Sequence, residues 1–195
     1  MIAKNCYLIA FAPMPFLLIF LFLSIFNKIF FPFFILLFIF QSFFIYFFRD
    51  VKRKIGNGII SPADGKVLYA KGNKISIFMN IFDMHVNLAP YEGKIIRMEY
   101  KKGEHKPAYK DVSKNERMEI YMDTNIGEIV IIQIAGIFAR RILPYVKEGD
   151  YVKKGDKIGI IKFGSRVETI LPKNCKVLVK EGKKIKAGDT IAMPD

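Results

Sequence analysis

The residues in this chain best equipped to do chemistry unaided are Gly164 and Ser165, in the run Gly159-Ile160-Ile161-Lys162-Phe163-Gly164-Ser165-Arg166-Val167-Glu168. A Gly-Ser pair between an apolar run and a polar, strand-like run is most often a turn or a bulge, since both residues favour such positions. It can also be a site of self-cleavage. A serine hydroxyl can attack the carbonyl of the residue before it when the peptide is held in a strained geometry. A preceding glycine leaves that carbonyl unshielded and tolerates unusual backbone angles. The peptide becomes an ester, elimination splits it, and the new N-terminus is a dehydroalanine that hydrolyses to a pyruvoyl group. The chain would then carry a reactive ketone made from Ser165.

Phe163-Gly164-Ser165-Arg166-Val167 resembles the processing site of the phosphatidylserine decarboxylase proenzymes in their short form, a family that includes the archaetidylserine decarboxylases. Further matches are Phe47-Phe48-Arg49-Asp50, Ser61-Pro62-Ala63-Asp64-Gly65, Phe78-Met79-Asn80 with Met84-His85-Val86-Asn87, Asn115-Glu116-Arg117, and Ala139-Arg140-Arg141-Ile142. The likeness therefore covers nearly all of the chain after about residue 47, and ordered motifs are far more specific than a lone Gly-Ser.

The resemblance implies cleavage between Gly164 and Ser165, into a β chain of residues 1–164 and an α chain of residues 165–195 that stay partners. It implies a covalent pyruvoyl cofactor derived from Ser165. That carbonyl would form a Schiff base with a primary amine and draw electrons from the bond to a carboxylate, so that carbon dioxide leaves. A serine phospholipid headgroup supplies both groups; phosphatidylserine or archaetidylserine would become the ethanolamine lipid. His85 is implied as the acid–base residue, helping to deprotonate Ser165 and later reprotonating the carbanion. Longer family members carry a second His three residues on, where this chain has Leu88. Asp64 is the candidate to orient His85 as in a Ser-His-Asp arrangement, with an Asx-turn before Gly65 as the plainer alternative. Arg166 and Arg117 are weak candidates for holding the substrate phosphate or carboxylate, with ordinary surface pairing as their alternative. His105, in a polar stretch, is unassigned.

Those groups need a scaffold, and the composition divides it. Residues 1–48 carry only Lys4 and Lys28 as charges and are dominated by Phe, Ile and Leu. The rest holds 29 basic and 18 acidic residues, a formal charge of +11. A basic domain beside an apolar anchor suits an anionic lipid surface. Nucleic acid is the competing partner for a basic chain, but the basic residues are dispersed and no nucleic-acid motif is present. Two cysteines, Cys6 and Cys175, make no disulfide framework. Two histidines are too few for a His-rich zinc site, and no metal is expected.

Residues 6–26 and 29–48 are apolar runs near the roughly 20 residues that span a bilayer core. They predict a helical hairpin with a tight loop at Asn27-Lys28, or a re-entrant hairpin that does not fully cross. Pro13, Pro15 and Pro32 should kink these helices or sit near their ends. A signal peptide fits poorly, because no small-residue cleavage site follows. Arg49, Lys52, Arg53 and Lys54 come next, which by the positive-inside rule places the following domain in the cytoplasm, at the cell membrane. The expected division is a membrane anchor over residues 1–48 and a catalytic domain over 49–195.

From Lys66 onward the chain reads as short strands and turns: 67–70, 74–79, 92–100, 116–122, and 128–135 after a hairpin connection at 123–127. Residues 102–115 read as a loop and 138–145 as a short helix. Residues 146–158 repeat at 179–191, offset by 33, each copy alternating strands with Gly and Gly-Asp turns. This pattern resembles the hammerhead hairpins of biotinyl and lipoyl carrier domains. The predicted fold is thus mainly β, a compact sandwich or barrel behind a transmembrane helical hairpin, with the Gly-Ser site between the repeats. Two other classes compete: a non-enzymatic membrane-anchored adaptor on such a β domain, and a zinc peptidase of similar architecture. A carrier would need a modified lysine at a hairpin tip, of which Asp156-Lys157 is only a faint echo. The lipid tail and any homo-oligomer are left open.

Overall fold

An apolar helix ends where its residues stop favouring it, and Asn27 marks that point. In the computed structural model, which describes residues 1–137, 141–162 and 165–194, α1 (Tyr7–Ala10) and α2 (Met14–Phe26) precede Asn27. A 3-10 turn (Lys28–Phe30) and α3 (Phe31–Phe47) follow it. Asn27 is extended, and its side-chain oxygen accepts the Ile29 N–H at 3.0 Å. Pro13 caps α2, and Pro15 and Pro32 lie in first turns, where a missing N–H leaves no bond unmade. The prolines therefore start helices here and do not kink them. Tyr7–Phe26 and Lys28–Phe47 are each 20 residues, long and apolar enough to cross a membrane. Gln41 is buried between them and donates to the Ala10 carbonyl at 2.8 Å, at the point where α1 ends. Ala3 N–H meets the Phe48 carbonyl at 2.8 Å and Asp50 N–H the Met1 carbonyl at 2.6 Å, which ties the start of the hairpin to its end.

Residues 1–51 pack as one unit and residues 52–195 as another. The second is mainly β, with fourteen strands among the described residues. These are β1 (Ile59–Ile60), β2 (Gly65–Lys71), β3 (Lys74–Met79), β4 (Val86–Leu88), β5 (Gly93–Lys101), β6 (Arg117–Thr124) and β7 (Gly127–Ala135), then β8 (Ile142–Pro144), β9 (Tyr151–Val152), β10 (Lys157–Ile161), β11 (Ser165–Ile170), β12 (Cys175–Val177), β13 (Lys184–Ile185) and β14 (Thr190–Pro194). Eight form an antiparallel sheet in the order β13-β2-β3-β11-β7-β6-β5-β9; β1-β14-β12 and β4-β10-β8 form two smaller sheets. Ile75, Ile77, Met79, Ile120, Ile131 and Val167 of the large sheet share one buried cluster with Ile59, Ile158, Ile161 and Ile191 of the small ones. The expected helix over 138–145 is not formed where it is described: Ile142–Pro144 is an edge strand paired with β10. Cross-strand pairing outweighs local preference there, and an edge tolerates Pro144.

The 33-residue repeat is a repeat of hydrogen bonds as well as of letters. Gly149 and Gly155 have φ of 89° and 88°, and their counterparts Gly182 and Gly188 have 85° and 93°. Asp156 and Asp189 each accept, at 2.8 Å, the N–H three residues before them. Each copy docks on a segment of a second repeat, Ser61-Pro62-Ala63-Asp64-Gly65-Lys66-Val67 and Ala89-Pro90-Tyr91-Glu92-Gly93-Lys94-Ile95. Gly188 N–H meets the Ser61 carbonyl and Gly155 N–H the Ala89 carbonyl, both at 2.9 Å. Gly182 N–H meets the Val67 carbonyl and Gly149 N–H the Ile95 carbonyl, both at 2.8 Å.

Gly65 is required twice over. Its φ is +151°, and a Cβ there would lie 2.2 Å from the Phe78 carbonyl oxygen; Gly182, at φ +85°, has open space around it. Gly182→Ala should therefore cost only the left-handed backbone penalty of about 1–2 kcal/mol. Gly65→Ala should cost visibly more, since β2 must separate from β3. Thermal unfolding of both variants in detergent checks this; equal losses would mean that the Phe78 contact is easily relieved.

Candidate active site

Ser165 opens a central strand of the large sheet. Its strand β11 lies between β3 and β7, and Ser165 faces Met79 on one side and Ala135 on the other. The residue is fully buried, and its Oγ has no hydrogen-bond partner among the described residues. A buried hydroxyl usually finds a partner, and Thr169 Oγ1 on the same strand is the other buried hydroxyl without one among the described residues. Phe163 and Gly164 lie outside the described residues, so the expected cleavage partner Gly164 has no geometry here. The chain is tied down on both sides of them. Ile161 N–H donates to the His85 carbonyl at 3.3 Å and Lys162 N–H to the Arg141 carbonyl at 3.2 Å.

Pleating sorts the neighbours of Ser165 by face. Val167, Met79, Ile77, Ala135 and Gln133 share its face, which is the core face. Gln133 is a lone amide in the apolar run Ile129-Val130-Ile131-Ile132-Gln133-Ile134. It is fully buried and donates to Asn87 Oδ1 at 2.8 Å, and Asn87 Nδ2 reaches the Met79 sulfur at 3.6 Å. The Gln133 Oε1 has no partner among the described residues. Gly159 makes room for this amide, because a Cβ there would come within 3.0 Å of Gln133 Nε2. Asn115, also buried, donates to the Ala135 carbonyl at 2.8 Å and so fixes the strand end opposite Ser165.

His85 is fully buried just before β4, with Nδ1 2.9 Å from the Asp83 carbonyl. The structure does not bring the Asp64 carboxylate onto the imidazole. Asp64, 6% exposed, is ion-paired with Arg53 and accepts the Ala187 N–H at 2.8 Å and the Met84 N–H at 3.4 Å. Its link to His85 runs through the backbone of Met84. Glu92 stands where Asp64 stands in the other copy of the internal repeat, and it is exposed. An equivalent turn thus folds without burying its acid, so the burial of Asp64 is not a demand of the turn.

Arg166 and Arg117 lie on the face away from Ser165, opposite Ile134 from either side. Arg166 pairs with Glu168 at 2.6 Å and donates to Ser76 Oγ at 2.5 Å. Arg117 donates to the carbonyls of Asn115, Val112 and Ser113 and so braces the preceding loop. Their charges are committed to the fold. His105 Nε2 sits 3.6 Å from the Glu116 carboxylate. The sequence assigns no site role to Asn115, which lies in a family motif, or to Arg53, which lies in the basic cluster; for Gln133 the one signal is a polar residue alone in the β7 run.

The family described as phosphatidylserine decarboxylase matches residues 40–193. A protein of Archaeoglobus fulgidus named archaetidylserine decarboxylase proenzyme is 48% identical over 150 residues, covering 77% of each chain. One of the same name from Methanosarcina barkeri is 43% identical over 151 residues, 75% of this chain and 74% of that one. A phosphatidylserine decarboxylase proenzyme of Syntrophus aciditrophicus is 44% identical over 162 residues, 74% of this chain and 76% of that one. Among solved structures, glucose permease IIA from Mycoplasma capricolum overlaps 69% of this chain and 92% of its own, at 16% identity and a TM-score of 0.43. With a match across the whole β unit and three such relatives, the chain belongs to the phosphatidylserine decarboxylase family.

Proposed function

We propose that the chain is a self-processing decarboxylase of a serine phospholipid headgroup, with the reactive carbonyl made from Ser165. The observation that carries this is the buried, unpartnered Ser165 hydroxyl at the head of a central strand, in a chain whose relatives are named proenzymes. The hydroxyl attacks the Gly164 carbonyl and the acyl group moves from nitrogen to oxygen. Loss of the Ser165 Cα proton then breaks the Cβ–O bond, leaving Gly164 as a carboxylate and residue 165 as dehydroalanine. Water releases ammonia from it and completes the pyruvoyl group. Position 165 fits that group: it is buried, the Gln133 amide shares its face, and the Asn87 amide lies against that face through Gln133 and Met79. A ketone at position 165 would supply an electron sink for a condensed substrate amine, which is the chemistry that loss of carbon dioxide needs.

The chain's own residues bind, orient and move protons. His85 takes the Ser165 proton and later returns one to the substrate carbon. Asp64 acts as a positioning residue, holding Met84 and hence the segment that carries His85, with Arg53 balancing its buried charge. The paired Gly-Asp hairpins, which we take to be of the hammerhead kind, serve as clamps. The two chains stay together after cleavage, because β11 keeps β3 and β7 as neighbours while β13 and β14 stay paired with β2 and β1. The apolar hairpin anchors the chain in the cell membrane, with residues 49–195 on the cytoplasmic side.

Five outcomes test this. Ser165→Ala should leave the chain whole and inactive, whereas the native protein should show an α chain of residues 165–195 by mass spectrometry. Borohydride with phosphatidylserine or archaetidylserine should add the reduced lipid amine to that chain; an uncut chain that decarboxylates the lipid would overturn the proposal. His85→Ala should slow processing or turnover by roughly 10²-fold or more. Asp64→Asn should slow processing and displace its pH profile, while Glu92→Gln, at the matching exposed position, should leave both unchanged. Protease added outside right-side-out vesicles should spare residues 49–195; their digestion would reverse the assigned topology.

A further inference from the structure

The turn between β3 and β4 does something the fold does not require: it presents apolar side chains to water beside the candidate site. Ile81 is 42% exposed and Phe82 61%. The turn that carries them is stiff. Asn80 N–H donates to Asp83 Oδ2 at 2.8 Å, Phe82 N–H to Asn80 Oδ1 at 2.7 Å, and Asp83 N–H to the Asn80 carbonyl at 3.0 Å. Met79, directly before the turn, is the cross-strand partner of Ser165, and His85 follows it. A third exposed apolar group joins from a different loop: Tyr109, 57% exposed, meets the Phe78 ring edge-on with centroids 5.9 Å apart.

Phe78 and Asn80 also line a surface cavity of about 390 Å³ whose other walls include Lys66, Lys184 and Lys186. All three lysines are exposed, and none forms an ion pair among the described residues. Of the nearby acids Asp64 is balanced by Arg53, whereas Asp83 and Asp189 accept the Asn80 and Lys186 N–H groups and keep their charge, so three lysines face two further carboxylates and the cavity stays net basic. Aromatic and aliphatic groups on a stiff tip, with free lysines alongside, combine apolar insertion with attraction to anionic headgroups.

We infer that Ile81, Phe82 and Tyr109, with Lys66, Lys184 and Lys186, form a face by which the β unit docks on an anionic bilayer, at the end of the large sheet where Ser165 begins β11. Phe78, Lys66 and Lys184 lie on the side of the sheet away from the Ser165 side chain, so the face reaches the site around the strand end. Its occupant is the lipid surface itself, argued from the charge and the exposed apolar tip. Its use rests on the decarboxylase reading: a headgroup held at the bilayer plane reaches a buried reactive group only if the strand end that carries it meets that plane. The apolar hairpin fixes the chain to a membrane, whereas this face would set which side of the β unit meets it.

The chain has no tryptophan, so single introduced ones report without background. Full-length Phe82→Trp, reconstituted in vesicles containing phosphatidylglycerol and brominated lipid, should be quenched and blue-shifted. Tyr151→Trp is the control, since Tyr151 is 67% exposed on β9, at the opposite end of the large sheet from β13, β2 and β3. It should remain unquenched. Each change of Lys66, Lys184 or Lys186 to Gln should lower the docked-to-undocked ratio about fivefold at low salt. No quenching at position 82, equal quenching at 82 and 151, or indifference to all three lysine changes would overturn the inference. These vesicles contain no serine lipid, so the readout survives even if the decarboxylase reading fails. If that reading holds, Phe82→Ser should lose turnover on vesicles and keep it on a monomeric short-chain serine lipid.

Discussion

The rest of this structure depends on β11 having a neighbour on each side. A central strand has its backbone groups fixed by two ladders, so its first residue has little freedom to adjust. Ser165 is that residue, with Met79 and Ala135 as partners. Three buried amides are attached to those ladders. Asn115 secures the Ala135 end, Asn87 reaches Met79, and Gln133 lies two residues along β7 from Ala135. A residue on a loop would need its own set of braces; here the sheet supplies them.

The same placement explains why the arginines face away from the chemistry. Alternation along β11 sends Arg166 to the side opposite Ser165, where Glu168 and Ser76 hold it. A sequence motif records adjacency along the chain, and in a strand adjacency means opposite faces. The motif around Ser165 therefore mixes a residue of the site with one that braces the back of the sheet.

Much of the architecture was legible because it follows from local rules. The apolar runs, their break at Asn27, the hairpin at 123–127 and the 33-residue repeat are all patterns of residue type at short range. The strand at Ile142–Pro144 was not legible, because its pairing with β10 is a tertiary contact with no local signature. The site divides in the same way. Ser165, His85 and Asp64 could be named from motifs, while their connections could not. Asp64 accepts the Met84 N–H and is ion-paired with Arg53, eleven residues upstream, in a stretch that reads only as part of a basic cluster. Asn115 was quoted within a motif but carried no visible role until its bonds to Lys106 and Ala135 were seen.

The internal repeat separates residues that fold the chain from those that act in it. The two copies agree in their glycines, their Gly-Asp turns and the bonds that dock each hairpin, so those features are explained by folding alone. They disagree at Asp64 and Glu92, one buried beside an arginine and the other in solvent. Burying a carboxylate costs several kcal/mol unless its partners offset the loss of water, and the equivalent turn avoids that cost. The second copy therefore acts as a control built into the molecule. It shows that a buried acid is dispensable for the turn itself, so the burial of Asp64 answers to its own partners, Arg53, Met84 and Ala187.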